Sequence, residues 1–185
     1  MELAWDELQT LRCLQQGGVV AIATEGVWGL SASTAHLDAV ERVLHVKHRA
    51  PNKGLIVLVT DWSMIDHWVD PDWDRHWPLE LGRPATWVVP ASTACPDVLT
   101  GGRASLAVRR VTMPALRRIV ARSGPLVSTS ANRSGRSAAT SRYQVVLEFG
   151  DAVDWIARGR TGGFKGPSEI RDLVTGRVLR GGKDE

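Results

Sequence analysis

Cysteine is scarce in this 185-residue chain and poorly placed for chemistry: Cys13 and Cys95 stand far apart and match no metal-ligand or redox spacing. That excludes a cysteine-built metal centre, and two buried or inert thiols in a cytoplasmic protein are the simplest account. Long apolar runs are also missing. None approaches the roughly 20 residues needed to cross a bilayer, so no membrane association is expected. The first residues, M-E-L-A-W-D-E-L, are acidic and amphipathic rather than those of a secretory signal. Charge of one sign is not in large excess: 23 Lys and Arg face 20 Asp and Glu, a net +3 that does not by itself argue for nucleic acid. Internal repeats and linker-like tracts are absent, and residues 1–185 are expected to form one domain.

What is present alternates between two periods. Apolar residues at Trp5, Leu8, Leu11 and Leu14 give helical spacing over residues 5–15, ended by Gly17-Gly18. Residues 18–24, rich in β-branched side chains, read as a buried strand. Thr34 is placed to cap a helix whose apolar stripe is Leu37, Val40, Val43, Leu44 and Val46. Further strands are expected over residues 55–59, 85–89, 105–109, 125–130 and 152–157. Helices are expected after Asp61, from Pro114 to about Arg122, and over residues 143–149. Residues 71–84 read as an irregular connection with room for one helical turn, and residues 92–102 as a loop. Residues 170–180 hold two short strands around Thr175-Gly176, a turn signal. Interleaved helices and strands predict an α/β domain. The last connection is too short for a crossover helix, so the sheet should be mixed rather than wholly parallel.

Four polar strand ends or loops stand out: Thr24-Glu25, residues 47–53 (K-H-R-A-P-N-K), residues 105–109 (S-L-A-V-R) and residues 128–132 (S-T-S-A-N). Ends of strands in open α/β sheets are where ligands collect. Lys47, Arg49 and Lys53 fit an anion, although cations in a last helical turn also complement the helix dipole. A buried strand that becomes S-T-S-A-N leaves hydroxyls and an amide for an oxygen-rich ligand, or for turn and sheet-edge caps, to satisfy. Gly26 and Gly29 read as turn chemistry, and residues 159–168 are the most glycine-rich segment. Basic residues bunch at 47–53, 103–118, 133–142 and 158–165, which builds either a positive face or solvated strand ends.

Five motifs follow one another across residues 17–182: G-G-V-V-A-I-A-T-E-G-V-W-G-L, K-H-R with K-G-L, S-L-A-V-R, S-T-S-A-N-R-S-G, and P-S-E-I-R-D with a turn and R-G-G. In this order and near this spacing they resemble the YrdC/TsaC family, the L-threonylcarbamoyladenylate synthases. The resemblance implies a YrdC-like fold, a twisted mixed β-sheet flanked by helices with a basic concave face, in the short form without an extra C-terminal domain. It implies a nucleotidyltransferase that condenses L-threonine, bicarbonate or CO2 and ATP into threonylcarbamoyl-AMP and pyrophosphate. Partner proteins would then transfer the threonylcarbamoyl group to the adenosine beside the anticodon of tRNA. ATP is the nucleotide substrate, Mg2+ is expected with it, and the protein itself supplies no metal-ligand set.

The same resemblance assigns residues. Lys47 and Arg49 match the family's K-x-R pair and, with Arg109, belong against phosphates; Lys53 is a further candidate. Ser130 and Asn132 match the S-x-N pair. Thr24 matches the threonine of a P-T-E motif and should help hold the threonine substrate. Thr86, Ser105 and Ser128 are candidates for threonine or nucleotide contacts, and Ser168 for closing the site beside them. No residue resembles a nucleophile activated by a base, so catalysis is expected from positioning and charge neutralisation.

This chain departs from the family at three places. Ala23 replaces the usual proline before Thr-Glu. Pro51 comes one place late, after Ala50, which could shift the loop carrying Lys53. Trp28 replaces a smaller aromatic and either shapes the pocket or packs. Two other readings compete: an RNA-binding module gripping tRNA or double-stranded RNA by phosphate contacts, and a carbamoyl-adenylate domain of the hydrogenase-maturation type, for which the chain lacks the accompanying cysteines and length.

Overall fold

The computed structural model describes residues 3–73, 81–133 and 135–181. Nine strands form one mixed sheet: β1 (Val20–Ala23), β2 (Trp28–Ser33), β3 (Ile56–Val59), β4 (Ala85–Pro90), β5 (Ser105–Arg110), β6 (Leu126–Ser130), β7 (Trp155–Ile156), β8 (Glu169–Asp172) and β9 (Val178–Arg180). Their order is β7-β1-β2-β6-β3-β5-β4-β8-β9. β1–β7, β3–β5 and β4–β8 are parallel, and the other neighbours antiparallel. Among the described residues five α-helices accompany them: α1 (Trp5–Gln15), α2 (Leu37–Val46), α3 (Asp97–Thr100), α4 (Pro114–Ser123) and α5 (Arg142–Phe149).

Strand alternation divides the core. Val19, Ala21 and Ala23 face one cluster with Val40, Val43 and Leu44 of α2 and Val145 and Phe149 of α5. Val20 and Ile22 face another with Leu11 and Leu14 of α1 and Leu116, Ile119 and Val120 of α4. A one-residue slip of β1 would exchange these sets, so burial on both faces pins its register. α1 and α4 are also tied by charge. Glu7, 6% exposed, accepts from Arg118 Nη2 at 2.5 Å and Nε at 3.1 Å, and its other oxygen accepts from the Ala4 N–H at 3.1 Å.

Several expectations change. The strand over Trp28–Ser33 lies where only a glycine-bracketed turn was read; apolar Trp28, Leu30 and Ala32 alternate with Gly29, Ser31 and Ser33, but the run has no β-branched residue and its glycine reads as turn chemistry. Thr34 does not cap α2. Its hydroxyl donates to Pro125 O at 2.9 Å, and His36 holds the cap position without a side-chain bond. The segment after Asp61 is a 3-10 helix, Trp62–Trp68, and the 92–102 loop contains α3. β7 keeps only two residues of the expected strand. The 71–84 connection falls largely on residues 74–80, outside the described residues, as do position 134 of the S-T-S-A-N-R-S-G motif and the last glycine of R-G-G. Trp28 is wholly buried in the core, so it packs. Burial raises both thiols to about 11, which keeps them protonated and inert.

Burial pushes the Glu7 carboxyl up, but Arg118 and the Ala4 N–H outweigh it and hold the group below its ordinary value. A lowered carboxylate value adds stability above the unfolded pKa, lost as pH falls through the folded one. Glu7→Gln should lower the melting temperature by a few degrees at pH 7. Its difference from wild type in thermal scans should shrink below about pH 4.

Candidate active site

Across the middle of the sheet the register aligns Ser128 of β6, Ile56 of β3, Ala107 of β5, Val88 of β4 and Asp172 of β8. These residues floor a cavity of about 430 Å³. Its rim comes from loops at the strand ends. Thr24 enters from the end of β1, Arg49 and Lys53 from the segment after α2, Ser130 from the end of β6, and Pro167 and Ser168 from the segment before β8.

The chain reaches this rim by sharp local turns. Lys47 caps α2, and His48 then adopts a left-handed φ of 50°, uncommon for a residue with a side chain. Pro51 opens a short 3-10 turn, Pro51–Lys53, closed by Gly54 at φ 58°. The late proline is thus absorbed as the first residue of a turn, and Lys53 stays on the cavity wall. Gly54 and Gly101 meet there: a Cβ on Gly101 would stand 2.6 Å from Gly54 N, so only backbone fits.

Five cationic side chains among the described residues line the cavity: Arg49, Lys53, Arg103, Arg109 and Arg180. Among the described residues, Asp172 is the one carboxylate on that lining. The guanidinium groups are steadied by backbone carbonyls. Arg49 donates to Gly54 O at 3.0 and 3.1 Å and to Lys53 O at 3.2 Å, Arg103 to Asn52 O at 2.6 Å, and Arg180 to Ser168 O at 2.8 Å. Burial and the nearby charges of Arg180 and Arg103 lower the Arg49 pKa; burial and Arg109 lower that of Arg180. Arg109 is 5% exposed and stands 3.4 Å from Glu25, whose other oxygen accepts from the Thr112 N–H at 3.1 Å. Nε and Nη2 of Arg109 are buried without a hydrogen-bond partner. Nη2 still faces the Glu25 carboxylate, and Nε, left without an acceptor at the cavity wall, suits a ligand rich in oxygens.

Of the sequence candidates, Thr24, Arg49, Lys53, Ser105, Arg109, Ser128, Ser130 and Ser168 come together on the cavity wall. Lys47, Thr86 and Asn132 do not. Lys47, 4% exposed, turns inward: its ammonium donates to Ser130 O, to Asn132 O at 2.9 Å and to Asn132 Oδ1 at 2.8 Å. Ser130 Oγ donates to the same Oδ1 at 2.7 Å. Lys47 and Asn132 therefore hold the loop that presents Ser130. Thr86 shares a 2.8 Å hydroxyl–hydroxyl bond with Ser168. Arg103 and Arg180 were missed as site residues, although each lies in a noted feature: the basic bunch from 103 and the final R-G-G.

Three comparisons bear on this geometry. The family model Sua5/YciO/YrdC, described as telomere recombination, matches residues 12–182. A threonylcarbamoyl-AMP synthase of Pseudomonas aeruginosa (strain UCBPP-PA14) is 43% identical over 176 residues, 91% of this chain and 93% of that protein. One of Stutzerimonas stutzeri (strain A1501) is 40% identical over 180 residues, 95% of this chain and 97% of that protein. The crystal structure of P. abyssi Sua5 complexed with L-threonine superposes with a TM-score of 0.84 at 28% identity over 96% of this chain. The chain spans about half, 54%, of that longer protein.

Burial, then the charge of Arg49, lowers the Lys47 ammonium from 10.5 to about 8 against a weaker opposing pull from Glu148. Because the folded value is the lower one, the unfolded chain binds more protons between them, and this group makes global stability rise with pH there. The loop anchor behaves oppositely, since above pH 8 the ammonium loses its charge and one donor. Affinity for sulfate, whose own charge is constant in this range, should fall as pH rises through about 8, without a matching fall in the denaturation midpoint. Lys47→Met should abolish that step in a calorimetric titration.

Proposed function

The chain belongs to the Sua5/YciO/YrdC family, and on that premise we propose that it is a threonylcarbamoyl-AMP synthase, condensing L-threonine, bicarbonate or CO2 and ATP into threonylcarbamoyl-AMP and pyrophosphate. The observation that carries this reading is the crowding of five cations around a cavity that also presents threonine and serine hydroxyls. A triphosphate answers the cations, and an amino acid with its own hydroxyl answers the rest.

In this reading Arg49, Lys53, Arg103, Arg109 and Arg180 form a basic concavity that takes the phosphates, with Ser105 and Ser130 among the oxygen contacts. Thr24, Ser128 and Ser168 hold the threonine end, Thr86 steadies Ser168, and Lys47 with Asn132 keeps the S-T-S-A-N loop in place. The threonine amine adds to CO2 and loses a proton to give a carbamate. A carbamate oxygen then attacks the α-phosphorus, and the α–β phosphoanhydride bond breaks to release pyrophosphate. The protein's part is to juxtapose the reactants and to neutralise charge on the leaving group. Mg2+ fits as a companion of the nucleotide. The cavity lining offers Asp172 as its carboxylate, and among the described residues no group of three His, Cys, Asp or Glu could hold a metal. The phosphates themselves must therefore supply most of its ligands.

The product is a mixed anhydride, so a downstream transfer to a nucleophile must consume it. tRNA adenosine and dedicated transfer proteins in the cytoplasm are the partners we assign. An RNA-binding module without catalysis is not favoured: both curated relatives described above are synthases, and a phosphate-tracking surface has no use for hydroxyls enclosed beside Glu25 and Arg109.

Purified protein with ATP, bicarbonate and L-threonine should release pyrophosphate in a threonine-dependent manner and yield the threonylcarbamoyl-AMP mass. Absence of both would overturn the assignment. Arg109→Ala should lower kcat/KM for ATP about 100-fold, as expected when a buried charge contact to the transition state is lost.

A further inference from the structure

The glycine-rich segment after β7 meets the Thr24-Glu25-Gly26 turn backbone to backbone. Gly162 N–H donates to Thr24 O at 3.0 Å, and Phe164 N–H donates to Glu25 O at 3.1 Å. Gly26 sits directly against this segment: a Cβ built on it would lie 2.0 Å from Gly166 O and 3.2 Å from Phe164 O. The first distance is well inside van der Waals contact, and the atom it meets is backbone, which has no side-chain rotamer to yield. Gly26 is not among the residues with a positive φ. Its glycine is therefore demanded by room and not by turn conformation. The reciprocal position is milder: a Cβ on Gly162 would lie 3.1 Å from Glu25 Cα and O.

Both sides of this seam feed the cavity. On one side the turn carries Thr24 onto the wall and sets Glu25 beside Arg109. On the other, the segment runs on to Pro167 and Ser168, also on the wall. Ser168 Oγ bonds Thr86 Oγ1 at 2.8 Å, and Ser168 O receives Arg180 Nη2 at 2.8 Å. A shift of the segment away from the turn would carry Ser168 with it and loosen the carbonyl that steadies Arg180.

We propose that residues 162–168 form a strap whose seat on the Thr24-Glu25-Gly26 turn sets the spacing between Thr24 and Ser168 across the amino-acid end of the site, with Gly26 as the positioning residue that makes the seat possible. The inference rests on the synthase reading for its substrate, but the seat itself does not depend on that reading. Gly26 touches no substrate; it acts through the strap. A methyl group there must push the strap outward, break the two backbone bonds and widen the threonine end while leaving the phosphate cations Arg49, Lys53 and Arg103 on their own loops.

The test uses Gly26→Ala and the milder Gly162→Ala in the full chain. Hydrogen exchange at the amides of Gly162 and Phe164 should accelerate in Gly26→Ala and less so in Gly162→Ala. The KM for L-threonine should rise about tenfold in Gly26→Ala, and by less in Gly162→Ala, with the KM for ATP changing less than that for threonine in both. A change in melting temperature with unchanged threonine KM and unchanged exchange at these amides would overturn the proposal, because a merely structural glycine would give that result. Should Gly26→Ala fail to fold, Gly162→Ala alone decides, and an unchanged KM and exchange in that variant would also overturn it. If wild type releases no pyrophosphate, the synthase reading fails instead. The seat is then judged by amide exchange alone, with faster exchange in the variants supporting it and unchanged exchange refuting it.

Discussion

Positive charge that outnumbers the carboxylates around one cavity, among the described residues, is the constraint on which the rest of this structure depends. Arg49, Arg103, Arg109 and Arg180 converge on one cavity, and burial together with mutual repulsion lowers the pKa of Arg49 and Arg180. Each such contact opposes folding, because it desolvates a cation or sets it near another. The fold tolerates this by spending backbone carbonyls on the guanidinium groups: Lys53 O and Gly54 O for Arg49, Asn52 O for Arg103, Ser168 O for Arg180. Those carbonyls orient the forks but carry no full negative charge. A polyanion in the cavity would supply the missing charge, and stabilisation by that ligand would be the thermodynamic expression of the deficit.

The carbonyls can be spent this way only because the loops that bear them are held from behind. Leu55 N–H donates to Leu99 O at 2.9 Å, and Gly54 and Gly101 close face to face, so α3 buttresses the segment that carries Arg49 and Lys53. Lys47 does the same for β6: its ammonium gathers the oxygens of Ser130 and Asn132 into one tight turn. A helix end and a strand end 83 residues apart are thereby locked. The site is assembled from small, separately supported loops on a two-faced sheet, which is how an α/β domain can hold strained, like-charged groups without losing its core.

Much of this was legible in the residues. The β-branched run ending at Ala23 and the apolar stripe of α2 announced themselves by period, and the polar strand ends are segments that line the cavity. Arg49 of the K-x-R motif and Ser130 of the S-x-N motif both line the cavity. Other features were masked locally. β2 alternates apolar Trp28, Leu30 and Ala32 with Gly29, Ser31 and Ser33, but it has no β-branched residue and its bracketing glycines read as a turn. Thr34 looked like a cap, but it bonds across the sheet to Pro125 O, a partner 91 positions away. Lys47 was placed against phosphate by the K-x-R resemblance; in the structure its ammonium donates to oxygens of Ser130 and Asn132, contacts that no local pattern announces. Thr86, a candidate for threonine or nucleotide contact, shares a hydroxyl–hydroxyl bond with Ser168, a partner 82 positions away.

The sequence by itself determined the inventory and the periodicity: which segments bury apolar faces, where cations and hydroxyls cluster, and that one α/β domain results. These depend on residues near in the chain, where spacing and composition act directly. Only the tertiary structure decided which of those groups share a cavity. Strand order brings Ser128, Ile56, Ala107, Val88 and Asp172 into one row across five strands, and pairing at that range is settled by burial on both faces of the sheet rather than by any local preference. The same is true of Gly26, whose lack of a side chain acquires meaning only when Gly166 O arrives from 140 residues downstream to occupy the space.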